Sequence, residues 1–217
     1  MLPGIALDID GDGVAVRSAA PLVVVSSAMV GGGVATVAAI INVHVDKHGP
    51  PGASEAALAA FAGRHGIAGP FVGLLTAART EKAEVGTASR AGLAAMAVVT
   101  VGLSNAITAG VSPPAPPMPS TINTIVIVDG VAEPAALVNA VMVVTEVKAL
   151  ALLEAGVKGA HGHPATGTST DAVAIGVTGR GPRVRFGGPI SELGWVVAQA
   201  VAPPLRRGIA RWQSEHR

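Results

Sequence analysis

The segment Ile5-Ala-Leu-Asp-Ile-Asp-Gly-Asp-Gly-Val-Ala-Val-Arg17 decides the class of fold. Two apolar runs, Ile5–Asp8 and Gly13–Arg17, flank the turn sequence Asp10-Gly-Asp-Gly13, and this arrangement predicts a β-hairpin. A doubly wound nucleotide-binding fold alternates strands with helices, so an antiparallel strand pair in this place argues against it.

The hydrophobic pattern outward from the hairpin predicts more strands than helices. The further strands are Leu22–Ser26, Val34–Val45, Phe71–Ala77, Gly92–Leu103, Thr121–Val128, Asp171–Val177 and Val184–Phe186, and the helices are Ala53–His65, Pro134–Gly156 and Ser191–Arg207. Because several strands follow one another directly, we predict an α+β fold with largely antiparallel or mixed β-sheet layers packed with about three helices. Residues 1–217 are interpreted as a single domain, with the Pro-rich stretch 113–119 as a loop.

Composition excludes several classes of function. Half of the residues are apolar, 13% are charged, and the formal net charge is +1. Without a broad basic surface, nucleic-acid binding is not expected as the main task. Cysteine is absent, which excludes disulfides, thiolate zinc sites and cysteine nucleophiles and fits a cytoplasmic protein.

The uncharged run from Ala91 to Val128 is long enough for a membrane span. It contains Ser104-Asn105 near its middle and is broken by five prolines between 113 and 119, and it has neither an aromatic belt nor a Lys/Arg clamp on both flanks. We therefore predict buried strands here and no membrane span. The N-terminal residues show no signal-peptide pattern.

Two histidine pairs have spacings that metal sites use, His44-x3-His48 and His161-Gly-His163. A metal site also needs a third ligand, and the sequence offers no convincing one. We predict neither a metal nor a cofactor.

The helix 134–156 carries the polar motif Thr145-Glu146-Val-Lys148 among Ala, Val and Leu. One interpretation is a polar stripe that contacts solvent. The other places Glu146 at the edge of a pocket as a general acid or base, with Asn139 aligned seven residues before it.

Other polar motifs lie at the ends of apolar strands. They are Gly31-Gly-Gly33, Ser104-Asn105, Asn123 and Gly167-Thr-Ser-Thr-Asp171. Each has a structural interpretation as turn chemistry or backbone freedom, and a functional one as part of a ligand site.

The order of these motifs is more specific than any one of them. The series comprises Ser26-Ser-Ala, Ile41-Asn-Val43, Val72-Gly-Leu-Leu-Thr-Ala-Ala78, Gly102-Leu-Ser-Asn-Ala106, Thr121-Ile-Asn-Thr-Ile-Val126, Ala135-Ala-Leu-Val-Asn-Ala140, Thr145-Glu-Val-Lys148 and Gly167-Thr-Ser-Thr-Asp-Ala172. This series resembles the adenosylcobinamide amidohydrolases over about residues 20–200. Met29-Val30, Ser120 and Ser169 depart from the family pattern.

The resemblance implies an amide hydrolase that removes aminopropanol from adenosylcobinamide and yields adenosylcobyric acid in cobalamin salvage. The corrinoid would be the substrate rather than a cofactor, and a homo-oligomer is compatible with the sequence. A non-catalytic corrinoid-binding protein is one alternative, and a general amidase or peptidase is another.

For the chemistry we expect water as the nucleophile. Glu146, which the apolar helix should bury, or Asp171 would deprotonate it, and Lys148, Asn105 and backbone N–H groups near Gly32 would stabilise the oxyanion. Covalent routes through Ser27, Ser104 or Thr168 stay open, including self-cleavage before Thr168. The predicted substrate-binding residues are Ser26, Ser27, Gly32, Asn42, Thr76, Ser104, Asn123, Asn139, Thr168 and Thr170.

Overall fold

The computed structural model describes residues 1–47, 53–116 and 120–217, apart from the side chains of Ala53 and Ser54. Three α-helices are described, α1 (Ala53–Arg64), α2 (Pro134–Glu154) and α3 (Glu192–Glu215). The strands are β1 (Ile5–Ile9), β2 (Gly13–Ser26), β3 (Gly33–His44), β4 (Phe71–Thr76), β5 (Glu84–Arg90), β6 (Leu93–Val101), β7 (Ala106–Ile107), β8 (Ile122–Asp129), β9 (Val131–Ala132), β10 (Gly167–Thr168), β11 (Ala172–Val177) and β12 (Arg183–Val184).

Eight strands form one mixed sheet in the order β5-β6-β8-β11-β2-β3-β4, with β1 beside β2. Most neighbours are antiparallel, and the predicted hairpin is present as β1 and β2. The two parallel pairs are β3 with β4 and β8 with β11. Helix α1 connects the first parallel pair and α2 connects the second, as parallel neighbours require a crossover. The predicted α+β class is confirmed.

The prediction of two separate strands at Gly13–Arg17 and Leu22–Ser26 is wrong, because both segments belong to β2. The register shifts between Arg17 and Leu22, and beyond the shift β2 also pairs with β11. Such an irregularity bends a strand. The bend folds the β3–β4 half of the sheet over the β8–β11 half, so that Asn123 Nδ2 donates to the Leu75 carbonyl oxygen at 2.8 Å.

Alternating side chains on each strand supply separate cores, as a two-residue period requires. On β8, Ile125 and Ile127 point into the core between the two halves of the sheet, whereas Val126 and Val128 face α2 and α3. On the opposite side, Phe61 of α1 packs on β3. The layers are therefore α2 and α3, the two halves of the sheet, and α1.

The strand β5 was missed in the sequence and α3 was predicted too short. The helix runs past Arg207 to Glu215, although Pro203 and Pro204 lie inside it. Proline inside a helix costs stability. Packing against the sheet outweighs this cost. Helix α3 lies so close to β5 that a Cβ at Gly86 would be 2.2 Å from the Ala200 carbonyl oxygen.

Helix α2 is the only helix in the described part of the chain that is long and apolar enough to cross a membrane. It lies on β11 and α3, and a core helix of a globular domain passes the same test. The prediction that the chain has no membrane span stays a prediction.

Candidate active site

The start of β8 is held by polar contacts from both halves of the sheet. The Ile122 N–H donates to Asp171 Oδ1 at 2.9 Å, and Asn123 Nδ2 donates to Asn42 Oδ1 at 2.8 Å. The sheet bend and the β8–β11 parallel pairing bring these residues together. Asn42, Asn123 and Asp171, three of the predicted site residues, thus lie together at the start of β8.

The asparagine pair continues into a buried network. Asn42 Nδ2 donates to Thr100 Oγ1 at 2.9 Å, and the Thr121 hydroxyl donates to Asn123 Oδ1 at 3.2 Å. Asn42, Thr100, Thr121 and Asn123 are all buried. Buried polar groups need partners, and a fully paired network fixes one arrangement of the strands.

Lys148 and Asp171 form a buried ion pair behind the start of β8. Lys148 Nζ lies 2.5 Å from Asp171 Oδ2, and the two side chains are 11% and 10% exposed. The Thr168 N–H also donates to Oδ2, at 2.9 Å, and its hydroxyl donates to Oδ1. With the Ile122 N–H, four donors use the roughly four lone-pair positions of the carboxylate. Asp171 therefore orients its neighbours and has little capacity left for a water molecule.

Gly167 is required by the ion pair. A Cβ at this position would lie 2.5 Å from Asp171 Oδ2 and 3.2 Å from Lys148 Nζ. Nearby, Asn105 Nδ2 donates to Ser169 Oγ at 2.6 Å, and the short strands β7 and β10 pair beside it. The predicted residues Asn105, Lys148, Thr168 and Asp171 thus belong to one neighbourhood.

A cleft of about 660 Å³ lies beside the start of β8, at the ends of β3 and β6. Its lining includes His44, Lys47, Ala78, Arg79, Lys82, Ser104, Ser120, Arg211, Trp212, Glu215 and His216. Its lining brings serine hydroxyl groups and lysine amine groups together.

Two serine hydroxyls lie in this cleft. Lys47 Nζ donates to Ser104 Oγ at 3.2 Å, and the Ser104 N–H donates to Ser120 Oγ at 3.2 Å. Ser120 precedes the tightly held residues 121–123, so the backbone on this side of the cleft is fixed. A hydroxyl next to an amine is an arrangement used in nucleophilic catalysis.

The expected burial of Glu146 is wrong. Glu146 is exposed, as is Thr145, whereas Lys148 is buried. Residues two apart on an α-helix point about 200° apart, which separates Glu146 from the ion pair. The solvent-facing interpretation of this stripe is therefore the correct one for Glu146 and Thr145.

Several other predicted ligand residues have structural partners away from the cleft. Asn139 Oδ1 accepts from the Gly187 N–H at 3.4 Å. Ser26 Oγ donates to the Val173 carbonyl oxygen at 3.0 Å, and Ser27 Oγ accepts from the Val173 N–H at 3.1 Å. These two serines fasten the start of β11.

Gly32, Thr76 and Thr170 complete the predicted set. A Cβ at Gly32 would lie 2.2 Å from the Ala28 carbonyl oxygen, which explains the glycine by close backbone approach. Thr76 is buried, and its hydroxyl accepts from the Ala78 N–H at 3.0 Å beside the cleft. Thr170 lies in the turn before Asp171. The binding roles of all these residues stay predictions.

Sequence reasoning missed Lys47, Ser120, Trp212 and His216. Lys47 and Ser120 adjoin stretches without a periodic pattern, and the other two lie beyond the predicted end of α3. The presence of only two tryptophans was the one available signal.

Among the described residues, no three His, Asp or Glu side chains are grouped as a metal site would require. His161 and His163 lie in an exposed loop, and His48 lies outside the described residues. His44 lines the cleft, with Nδ1 2.9 Å from the Ala78 carbonyl oxygen.

Comparisons with solved structures first define the class of fold. A Pyrococcus horikoshii OT3 protein matches with a TM-score of 0.50 and 15% identity, covering 94% of this chain and 82% of that one. A Burkholderia sp. beta-aminopeptidase matches with a TM-score of 0.49 and 14% identity, covering 95% and 84%. The first likeness shows a similar overall fold and no more. No curated protein matches.

The family follows from the sequence itself. The family model described as adenosylcobinamide amidohydrolase matches residues 6–217, which is wider than the predicted range 20–200. The chain belongs to this family, and it is an amide hydrolase.

Proposed function

We propose that this protein hydrolyses the amide that joins aminopropanol to adenosylcobinamide, giving adenosylcobyric acid for cobalamin salvage. The observation that carries the proposal is the family match over residues 6–217. The cleft supports it, because hydroxyl and amine groups meet there above a rigid polar network.

The cleft size bears on how a corrinoid would bind. A volume of about 660 Å³ suits a drug-sized group. A whole corrinoid is larger than such a group. The amide-bearing side chain would therefore enter the cleft, while most of the ring stays at its mouth.

The arrangement of Lys47 and Ser104 favours a covalent route over the expected water nucleophile. The Lys47 side chain, as the neutral amine, would accept the hydroxyl proton while Ser104 Oγ attacks the amide carbonyl carbon, and it would donate that proton to the aminopropanol nitrogen as the C–N bond breaks. Water would then hydrolyse the Ser104 ester and release the acid. Glu146 is too far around α2 for this chemistry, and Asp171 is already fully hydrogen-bonded.

In this proposal the catalytic roles predicted for Asp171, Lys148 and Asn105 become positioning roles. The ion pair holds the start of β8, and β8 in turn places Ser120 against the Ser104 backbone. Asn42 of β3 holds the same strand from the other half of the sheet, through its hydrogen bond with Asn123 of β8.

The test is incubation with adenosylcobinamide and measurement of released aminopropanol by mass spectrometry. The unchanged chain should release it, and Ser104→Ala should not. Ser89→Ala is the matched control, since Ser89 is an exposed serine of β5 outside the cleft. A quenched reaction should show the intact chain carrying a cobyryl adduct on Ser104. Full turnover by Ser104→Ala would restore the water route.

The same assay separates the alternatives. A non-catalytic corrinoid-binding protein would bind the substrate and release nothing. A general amidase would act on small amides that lack the ring. Turnover after dialysis against a chelator would support the proposed absence of a metal cofactor.

A cytoplasmic location and a homo-oligomer are also proposed. The exposed side of α2 carries Val138, Met142 and Leu153, which is compatible with a second copy. Cell fractionation and sedimentation analysis test these two points.

A further inference from the structure

His44, the last residue of β3, lines the cleft, and a hydrogen bond holds its ring in one orientation. Its Nδ1 lies 2.9 Å from the Ala78 carbonyl oxygen. A carbonyl oxygen only accepts hydrogen bonds, so Nδ1 carries the hydrogen that it donates. In the neutral imidazole, Nε2 then has no hydrogen and keeps its lone pair. The contact with Ala78 therefore makes Nε2 a proton acceptor.

The position of His44 along β3 directs its side chain towards the other half of the sheet. Residues two apart on a strand project from the same face. Two residues before His44, the Asn42 side chain reaches across to Thr100 Oγ1 of β6, at 2.9 Å. The imidazole therefore projects from the same face just beyond the end of β6, where the cleft lies.

Two further contacts bring this side of the cleft against the segment that carries Ser104. A Cβ at Gly102 would lie 3.3 Å from the Ala78 Cβ, and Lys47 Nζ donates to Ser104 Oγ at 3.2 Å. The residue that holds the His44 ring and the residue three places after His44 thus both contact the Ser104 segment. His44 and Ser104 are exposed, so water reaches both.

The proposed reaction contains a second step that needs a proton acceptor. After aminopropanol has left, the Ser104 ester must react with water, and the attacking water must lose a proton. Lys47 Nζ is hydrogen-bonded to Ser104 Oγ, which is the oxygen that becomes part of the ester. The Nε2 atom of His44 offers an acceptor in the same cleft that is not engaged with Ser104.

The other candidate acceptors in the cleft are engaged elsewhere. His216 also has its Nδ1 near a carbonyl oxygen, that of Trp212 at 2.8 Å, but its ring stacks on the Trp212 indole and belongs to the end of α3. The carboxylate of Glu215 lies 2.5 Å from a lysine amine, and Asp46 has a partner of its own. His44 is thus the acceptor that is tied to the Ser104 segment.

We propose that His44 is the general base that activates water for hydrolysis of the Ser104 ester. This inference rests on the proposed function. Nε2 accepts a proton from water while the water oxygen attacks the ester carbonyl carbon. When the bond between that carbon and Ser104 Oγ breaks, Nε2 returns the proton to Oγ, which releases the acid and restores the serine hydroxyl.

Pre-steady-state kinetics with adenosylcobinamide separate this step from formation of the ester. In His44→Asn, the asparagine amide can keep the hydrogen bond to the Ala78 carbonyl oxygen but cannot accept the proton. This variant should release one equivalent of aminopropanol at the normal rate, after which turnover should fall by about 10²- to 10⁴-fold. Mass spectrometry should show the Ser104 ester accumulating. His161→Asn, in an exposed loop, is the matched control and should turn over normally.

The ester p-nitrophenyl acetate contains no corrinoid and tests the same step without the proposed substrate. The unchanged chain should be acetylated on Ser104 and should hydrolyse that ester, whereas His44→Asn should stop after one equivalent of nitrophenolate. If the unchanged chain behaves in this way but does not cleave adenosylcobinamide, the proposed function fails and the role of His44 stands. No acylation of the unchanged chain by either compound would overturn the proposal.

Three further results would overturn it. Normal turnover by His44→Asn would remove His44 from the chemistry, and accumulation of the ester in His216→Asn instead would assign the step to His216. Loss of the first turnover in a folded His44→Asn would place His44 before the ester. If His44→Asn does not fold, nitrogen NMR of the unchanged chain decides, above the pH range in which histidine titrates. Hydrogen on Nδ1 of His44 would support the proposal, and hydrogen on Nε2 would contradict it.

Discussion

The two sides of the start of β8 each contain a lysine, and the comparison between them shows how burial sets the role of the same residue type. Lys148 is buried and paired with Asp171 in a network where every carboxylate position is used. Lys47 is only partly buried and donates to the Ser104 hydroxyl in an open cleft. A buried, fully paired cation stabilises an arrangement of strands, whereas a cation at a cleft can reach a substrate.

The comparison predicts opposite effects of the same substitution at the two lysines. Lys47→Met should lower kcat by about 10²- to 10⁴-fold, because proton transfer is lost, and leave the thermal midpoint unchanged. Steady-state aminopropanol release and a melting curve measure the two effects. Lys158→Met, at an exposed lysine, is the matched control. Normal turnover by Lys47→Met would remove Lys47 from the chemistry.

Lys148→Met should act on stability. Removing one partner of a buried pair leaves the Asp171 carboxylate uncompensated and should lower the free energy of unfolding by about 3–5 kcal/mol. Urea unfolding followed by circular dichroism measures this change. A variant as stable as the unchanged chain but inactive would instead assign Lys148 to the chemistry.

Gly167→Ala probes the same buried side with a smaller change. The added methyl group would lie within 2.5 Å of Asp171 Oδ2, so the ion pair must shift. Overpacking of this kind costs about 1–3 kcal/mol. Gly63→Ala is the matched control, because Gly63 has open space around a Cβ and no positive φ. Gly162→Ala would be unsuitable, because the φ of Gly162 is +79°. The prediction fails if both alanine variants unfold at the same urea concentration.

The attachment of α3 behind the cleft should depend on pH. Burial raises the pKa of Glu84, but hydrogen bonds from Arg207 and Arg211 outweigh it and hold this pKa below its ordinary value of 4.5. A lowered pKa contributes stability above the ordinary value and loses it as the pH falls through the folded-state value. The unchanged chain should therefore be more stable than Glu84→Gln by about 1 kcal/mol at pH 7. Melting curves should show that difference shrinking below pH 4.5, and a constant difference would contradict the prediction.

Glu146→Gln should have the smallest effect. The side chain is exposed on the outer side of α2, so both turnover and stability should stay close to those of the unchanged chain. A large loss of kcat with intact folding would return Glu146 to the chemistry and would imply a substrate that reaches this side of the helix.

The sequence predicted the elements that have strong local signals. The hairpin of β1 and β2, the strand β8 and the start of α2 at Pro134 each follow from a turn sequence, β-branched alternation or a proline at the first helical position. The strand β5 was missed because it is polar and lies at the sheet edge under α3. The end of α3 was missed because packing on β5 overrides two prolines.

The site residues also fall into two groups, those that sequence motifs predicted and those that only the packing placed in the cleft. The family motifs contained Asn42, Asn123, Lys148 and Asp171, and the structure brings them to one strand end. Lys47 and Trp212 belong to no sequence motif. They line the cleft because β3 ends shortly before Lys47 and because α3 extends past Trp212.

The sequence by itself determined the α+β class, the family and which polar residues must find partners, because hydrophobic period, turn chemistry and motif order are local properties of the chain. Only the tertiary structure decided which lysine is buried and which faces a cleft, and that Glu146 points to solvent. Those outcomes depend on the bend in β2 and on the rotation of α2 about its axis, and both are set by packing between segments far apart in the chain.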